Sequence, residues 1–230
     1  MRTIFPIISL LMAIFLSVSC STTRVLQDDE YRLAKNRIVV ENDKEFNPNQ
    51  LNKYLKQNKG LGWSPFLYVY NWTNGRGKGW DKLVQKVGKA PVVYDAEQVD
   101  KSISNIEDHL EYIGYYGSTV GSEIKVSKKT VKVVYKVVLG KRYPIEEITL
   151  DLPERGEFRE AFLKDTSSFT VRKGDYLSEQ SLEAETERLA ALIRNEGFYD
   201  FSKNNFFFEA DTLTRPGNAL LQMKVNEYTR

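Results

Sequence analysis

At 230 residues, 41% hydrophobic and 28% charged, the chain has the composition of an ordinary globular body of one or two domains. Its 33 basic and 31 acidic residues leave a net charge of +2, which supplies no bulk electrostatic case for nucleic acid as a partner. One cysteine and one histidine exclude a disulfide framework, a zinc site and a histidine-centred catalytic relay within a single chain.

The chain starts as an export signal. Arg2 makes the start positive, residues 4–18 are almost uninterruptedly apolar, and Ser19-Cys20 closes the run. An apolar stretch this short ahead of a small residue reads as a secretory signal over 1–19, and its flanks are wrong for a spanning helix. Cys20 stands where a bacterial lipoprotein signal places the residue that is lipidated and becomes the mature N-terminus. The match to that lipobox is imperfect, because Leu16 lies one position too early and Ser17-Val18-Ser19 fills the last three places. An ordinary signal peptide followed by a chance cysteine is the alternative. Residues 21–30 are polar, end in Asp28-Asp29-Glu30 and show no periodicity, so 20–30 reads as a lipid anchor and tether. Ten such residues reach roughly 33–36 Å when extended, which would hold a domain close to a bilayer without embedding it.

Beyond the tether the chain repeats itself. The stretch 95–116 recurs 83 residues on as 178–199. Each copy opens on a helix-capping residue, Asp95 or Ser178, and ends in a glycine followed by two aromatics, Gly114-Tyr115-Tyr116 or Gly197-Phe198-Tyr199. Between these ends the apolar stripe of the first copy is Val99, Ile103, Ile106 and Leu110. That of the second is Leu182, Leu189 and Ile193, with Thr186 as its weak member. A strand centred on Ile38-Val39-Val40 has its counterpart at 143–150, where Tyr143, Ile145 and Leu150 match Tyr31, Leu33 and Ile38 at an offset of 112. A short helix over 48–57, with Leu51, Tyr54 and Leu55 on one face, pairs with one over 157–164. Each repeat finishes with two strands. In the first, Ile124 and Val126 lead through the turn 127–130 into alternating Val131, Val133, Tyr135, Val137 and Leu139. In the second, Phe206, Phe208 and Ala210 lead through Arg215-Pro216-Gly217-Asn218 into Ala219, Leu221, Met223 and Val225. The order strand, helix, helix, strand, strand predicts an α+β unit with two helices on one face of a small sheet. Two such units in tandem would occupy 31–140 and 141–230.

The two offsets differ because the first repeat holds about 29 extra residues within 58–91. This insertion contains Trp63, Trp72 and Trp80, together with Phe66, Tyr68 and Tyr70, beside the glycine-rich 75–79. The glycine-rich run lacks the spacing of a P-loop or a dinucleotide fingerprint and reads as a loop. Tryptophan and tyrosine next to lysine and arginine match membrane-interface belts, so Trp63, Phe66, Tyr68 and Trp72 are candidate interfacial or partner contacts. A local mini-core packed on the first unit has the same composition. His109 sits beside the apolar stripe of the first long helix, without a companion carboxylate cluster, and reads as a flank residue rather than an acid or base. No catalytic, cofactor-binding or metal residues emerge, and the chain does not read as an enzyme.

These features together resemble a known family. The helix ending in Gly-aromatic-aromatic, repeated in tandem behind an export signal, is similar to the POTRA domains of the BamA/TamA outer-membrane assembly superfamily. The run 86–95, Cys20-Ser21-Thr22-Thr23, Gly114-Tyr115-Tyr116 and Asn195-Glu196-Gly197-Phe198-Tyr199 bring it nearest to the lipid-anchored TamA-like proteins (TamL) of Bacteroidetes. That resemblance implies two tandem POTRA-like βααββ units, each with two helices on a three-stranded mixed sheet. It also implies residence in the periplasm at the outer membrane, held by an N-terminal lipid. Its partners would be unfolded outer-membrane protein clients or a subunit of an assembly complex, bound without cofactor or catalysis. In POTRA domains the second strand is the sheet edge, which here gives Glu123, Ile124, Lys125 and Val126 in one unit and Phe206, Phe207 and Phe208 in the other as the docking edge for a client or partner strand. Members of the superfamily continue into a transmembrane β-barrel, and no series of alternating barrel segments appears before Arg230. The sequence is therefore read as a piece of a longer protein. A barrel-less structural or adaptor lipoprotein, docking to another envelope complex, is the alternative.

Overall fold

The structure is a computed structural model and describes residues 22–58, 65–73, 79–164 and 169–226. It is α+β, with two three-stranded mixed sheets. Strands β1 (Arg32–Val40), β2 (Thr119–Ser127) and β3 (Thr130–Val138) form the first, in the order β1-β3-β2. Strands β4 (Ile145–Asp151), β5 (Phe206–Asp211) and β6 (Ala219–Val225) form the second, in the order β4-β6-β5. The helices are α1 (Pro65–Tyr70), α2 (Gly79–Val87), α3 (Ala96–Tyr112), α4 (Glu157–Lys164) and α5 (Glu179–Asn195). Among the described residues the strands close no barrel, and no helix is long and apolar enough to cross a membrane. The chain divides into two compact units. One runs up to Val39 and includes Asn52–Ser102 and Ser122–Lys136; the other takes Val40–Leu51, Ile103–Gly121 and the chain from Val137 onward.

The two central strands show how binary pattern becomes architecture. In β3, Val131, Val133, Tyr135 and Val137 are buried while Lys132, Lys136 and Val138 are exposed. In β6, Ala219, Leu221, Met223 and Val225 are buried in alternation. A period of two puts every second side chain on one face, and a strand with neighbours on both sides buries that face fully. β6 lies parallel to β4, from Ile145 opposite Ala219 to Asp151 opposite Lys224, with one irregularity between Ile145 and Glu147. The intervening Glu146 turns to the β5–β6 turn, where its carboxylate accepts from Arg215 Nη1 and from Asn218 Nδ2. β5 lies antiparallel to β6, from Phe206 opposite Val225 to Asp211 opposite Leu220. Over this sheet α4 and α5 bury Phe158, Phe162, Leu189 and Ile193 against Phe198, Phe201, Phe206 and Met223. Phe201 and Phe206 meet edge to face at 5.3 Å, as do Phe158 and Phe198 at 5.4 Å, a geometry that matches positive ring edges to negative faces.

Both long helices start and stop as the repeat predicts. Ser178 Oγ accepts from the N–H of Ser181, and Asp95 Oδ1 from the N–H of Glu97. At the other end Gly114 and Gly197 adopt φ of +92° and +100°. In α3 the Tyr115 N–H reaches the Leu110 carbonyl at 2.8 Å and the Gly114 N–H that of Glu111 at 2.8 Å. In α5 the same pair runs from Phe198 to Ile193 at 3.3 Å and from Gly197 to Arg194 at 3.0 Å. This is the Schellman arrangement, in which a left-handed residue folds the chain back to satisfy the last helix carbonyls.

Two elements differ from the sequence expectation. The helix expected over 48–57 is a 3-10 helix, Pro48–Tyr54. It is short and carries three asparagines in its first turns and flank, Asn47, Asn49 and Asn52. Asn47 Oδ1 takes the N–H of Asn49, a local bond that competes with an α-helical start. Leu51 and Leu55 are buried as expected. The insertion carries two helices, α1 and α2, that its composition did not suggest. α2 has Asp81 in its first turn and Lys86 in its last, the charge order that suits the helix dipole.

Candidate functional site

The second strand of each repeat lies at a sheet edge, and among the described residues no further strand pairs outside it. β5 follows a single 3-10 turn, Lys203–Asn205, in which Asn205 Oδ1 accepts from the Ser202 N–H at 3.0 Å. Its side chains then alternate: Phe206 is buried and Phe208 half-buried toward the helices, while Phe207, 49% exposed, and Glu209 turn to the opposite face. Glu209 pairs there with Lys224 on β6 at 2.6 Å.

Beside β5 runs a cleft of about 810 Å³, walled on its other side by the first half of α5. Its apolar lining includes Phe208, Leu182 and Tyr143, and Glu183 and Lys203 stand in its wall. The cleft is open because the apolar stripe of α5 weakens toward its N-terminus. Leu189 and Ile193 are fully seated in the core, Thr186 puts a hydroxyl where a leucine would fill space, and Leu182 remains half-buried. Tyr116 and Tyr143 close one end with rings 5.8 Å apart. The charges at this wall are mutually satisfied. Lys203 Nζ contacts Glu183 at 2.7 Å and Glu187 at 3.0 Å, and these hydrogen bonds push its pKa up to about 12. Glu183 accepts from Lys203 and from the Tyr112 hydroxyl at 3.0 Å; both hydrogen bonds stabilise its charged form and hold its carboxyl below the usual range.

β2 is the corresponding edge of the first sheet. Val120 is buried, but Ile124 and Val126, two and three positions of the same period further on, are exposed. On the other face Glu123 meets Lys125 at 3.0 Å and Lys136 of β3 at 3.2 Å, and hydrogen bonds from Lys125 and Lys136 lower its pKa. Apart from the Val120 N–H, which donates to Glu107 at 2.8 Å, each edge presents backbone that no further strand pairs among the described residues, beside exposed apolar side chains on a strand whose neighbouring charges are paired. Such an edge can add a strand through main-chain hydrogen bonds. No group of three or more His, Cys, Asp or Glu side chains among the described residues is arranged to hold a metal ion.

Of the other candidates, Cys20 and Trp63 lie outside the described residues. Phe66 and Trp72 are exposed, and Tyr68 is half-buried on α1. The structure brings Glu123–Val126 together on one edge and Phe206–Phe208 on the other. Sequence reasoning missed Leu182, Tyr143 and Lys203 as parts of the cleft. The one signal for it was Thr186, a break in an otherwise apolar stripe.

Residues 35–140 match the POTRA family model, described as surface antigen variable number repeat. That match spans 106 residues, a little under half of the chain. No curated protein matches the chain in sequence. Among solved structures it is similar to POTRA domains 3–5 of Haemophilus influenzae BamA, with 14% identity and a TM-score of 0.41, over 86% of this chain and 61% of that one. BamA of Haemophilus ducreyi lacking POTRA domains 1–3 gives 16% identity and a TM-score of 0.43, over 86% and 30%. POTRA domains 1–2 of the periplasmic domain of Omp85 from Anabaena give 11% and 0.38, over 88% and 100%. The chain thus spans less than two thirds of the length of the two BamA structures.

Proposed function

We propose that this chain is the periplasmic region of an outer-membrane protein assembly or translocation factor of the TamA-like lipoprotein (TamL) kind. In this reading the tandem units 31–140 and 141–230 receive extended segments of unfolded outer-membrane proteins, or of a partner subunit, as an added strand. Cys20 carries the lipid that holds the chain at the outer membrane. The observation that carries the reading is the edge strand β5 bordering the apolar cleft against α5. Main-chain pairing along β5 would accept many sequences. The cleft would take every second side chain of the guest, favouring the alternating apolar pattern of a barrel strand. β2, with Ile124 and Val126 exposed, is the second receiving edge.

A photo-crosslinking residue in place of Phe207 or Ile124 tests this in cells making the full chain. We expect adducts with newly exported outer-membrane proteins or with one assembly partner from both positions. Adducts from probes at Glu187 on α5 or Asp108 on α3, with none from the edges, would overturn the edge model.

A further inference from the structure

The insertion in the first repeat presents a surface that strand addition does not use. α1 and α2 pack closely: a Cβ added to Gly88 would come within 2.6 Å of the Tyr70 nitrogen, and the Lys89 N–H donates to the Phe66 carbonyl at 2.9 Å. Leu67 and Val84 turn inward and are buried. Phe66, Trp72, Leu83 and Val87 do not; they are 48%, 50%, 54% and 51% exposed. Leu83 and Val87 are one turn apart and so share a face of α2. Lys82, Lys86 and Lys89 are exposed among them, while Asp81, the acidic residue of α2, is buried. Large apolar side chains alternating with lysines that form no ion pair among the described residues are costly in water and match the boundary between acyl chains and anionic headgroups.

The N-terminal tether ends at the same place. The Val25 N–H donates to Asn71 Oδ1 at 3.3 Å, one residue from Trp72. Cys20 lies five residues before Val25, a reach of about 18 Å at full extension. A lipid on Cys20 would hold this face at the bilayer whatever the remainder of the chain does.

We propose that the α1–α2 insertion is an interfacial foot that lies on an anionic phospholipid surface. Phe66, Trp72, Leu83 and Val87 enter the interface, and Lys82, Lys86 and Lys89 meet the headgroups. The foot goes beyond strand addition and uses none of its residues. It draws on Cys20 for proximity alone, so the two readings fail separately.

The test places an environment-sensitive fluorophore on Phe66→Cys or Val87→Cys, on different helices, in the full chain reconstituted with phosphatidylethanolamine–phosphatidylglycerol vesicles. Leu213→Cys, in the exposed β5–β6 turn, and the unsubstituted chain are references. We expect blue-shifted emission quenched by brominated lipid at 66 and 87 and not at 213. Raising the phosphatidylglycerol fraction should strengthen the effect, and Lys82→Glu with Lys86→Glu should weaken it. Water-like emission at both positions overturns the proposal. A blue shift that brominated lipid does not quench also overturns it, because protein then covers the face. Flotation of Cys20→Ser reads the lipid anchor separately: loss of flotation reports on the anchor and leaves the quenching result to decide the foot.

Discussion

Gly114 does two jobs with one missing methyl group. Its φ of +92° closes the Schellman turn, and a Cβ there would stand 2.3 Å from the Leu177 carbonyl oxygen. Gly140 is tighter still, with the Tyr116 carbonyl oxygen 2.0 Å from where its Cβ would be. That carbonyl and its own N–H are already paired with Lys141 and cannot retreat. Gly117 is the control, because its φ is +72° but nothing lies within 4 Å of an added Cβ. Gly117→Ala should cost about 1–2 kcal/mol, the price of a left-handed L-residue. Gly114→Ala should lose more, since backbone has to move as well, and urea midpoints of the two variants measure the difference. Equal midpoints would show that the close approach at Leu177 is not a constraint.

At the scale of the element, α5 combines a seated half and an open half. Where the two meet, Glu185 is 1% exposed and accepts from Arg188 Nη2 at 2.7 Å and from the N–H and hydroxyl of Thr170. Burial is the largest influence on this carboxyl and pushes its pKa up, but the hydrogen bonds from Arg188 and Thr170 outweigh it and the net shift is down. A carboxyl whose folded pKa is depressed stabilises the fold above its unfolded value, near 4.3, and that stability is lost as pH falls through the folded value. Glu185→Gln should therefore destabilise the chain at neutral pH by about 1–3 kcal/mol and should flatten the acid limb of stability against pH. An unchanged slope between pH 5 and pH 2 would mean that other carboxylates carry the acid transition. The open half is held at its rim by Lys203, which pairs with Glu183 and Glu187, while no bulky apolar side chain of α5 fills the cleft beside β5. Filling it would need an apolar residue at 186, where the sequence has threonine.

For the molecule as a whole, the tether is part of the fold before it reaches β1. The Lys129 ammonium, in the turn between β2 and β3, holds the carbonyls of Gln27 at 2.7 Å, Asp28 at 2.6 Å and Glu30 at 3.3 Å, and lies 5.6 Å from the Tyr31 ring centre. Three carbonyls around one ammonium fix the direction in which the chain leaves toward Cys20. Lys129→Met keeps the length of the side chain and removes those bonds. It should speed cleavage after Glu30 by a glutamate-specific protease while leaving the melting temperature of the chain nearly unchanged. Cleavage at the parent rate would show that the tether is held by other contacts.

Much of this was legible in the residues. The duplicated helix, its capping residues, its Gly-aromatic ends and the alternation of the last two strands follow from chemistry acting over a few residues: caps, left-handed glycine, and periods of 3.6 and 2. The order of elements then specified an α+β unit, and the resemblance to POTRA domains implied that its second strand is an edge. What lay beyond reach was set by packing. The α1–α2 pair depends on Gly88 admitting Tyr70, and the 3-10 form of 48–54 on a few competing asparagine bonds. The cleft arises because one threonine and a half-covered leucine on α5 come to lie opposite β5, residues some 20 apart that only the folded sheet brings together. The local pattern decided which elements form; the tertiary structure alone decided which of their faces stay uncovered, because coverage depends on neighbours distant in the chain.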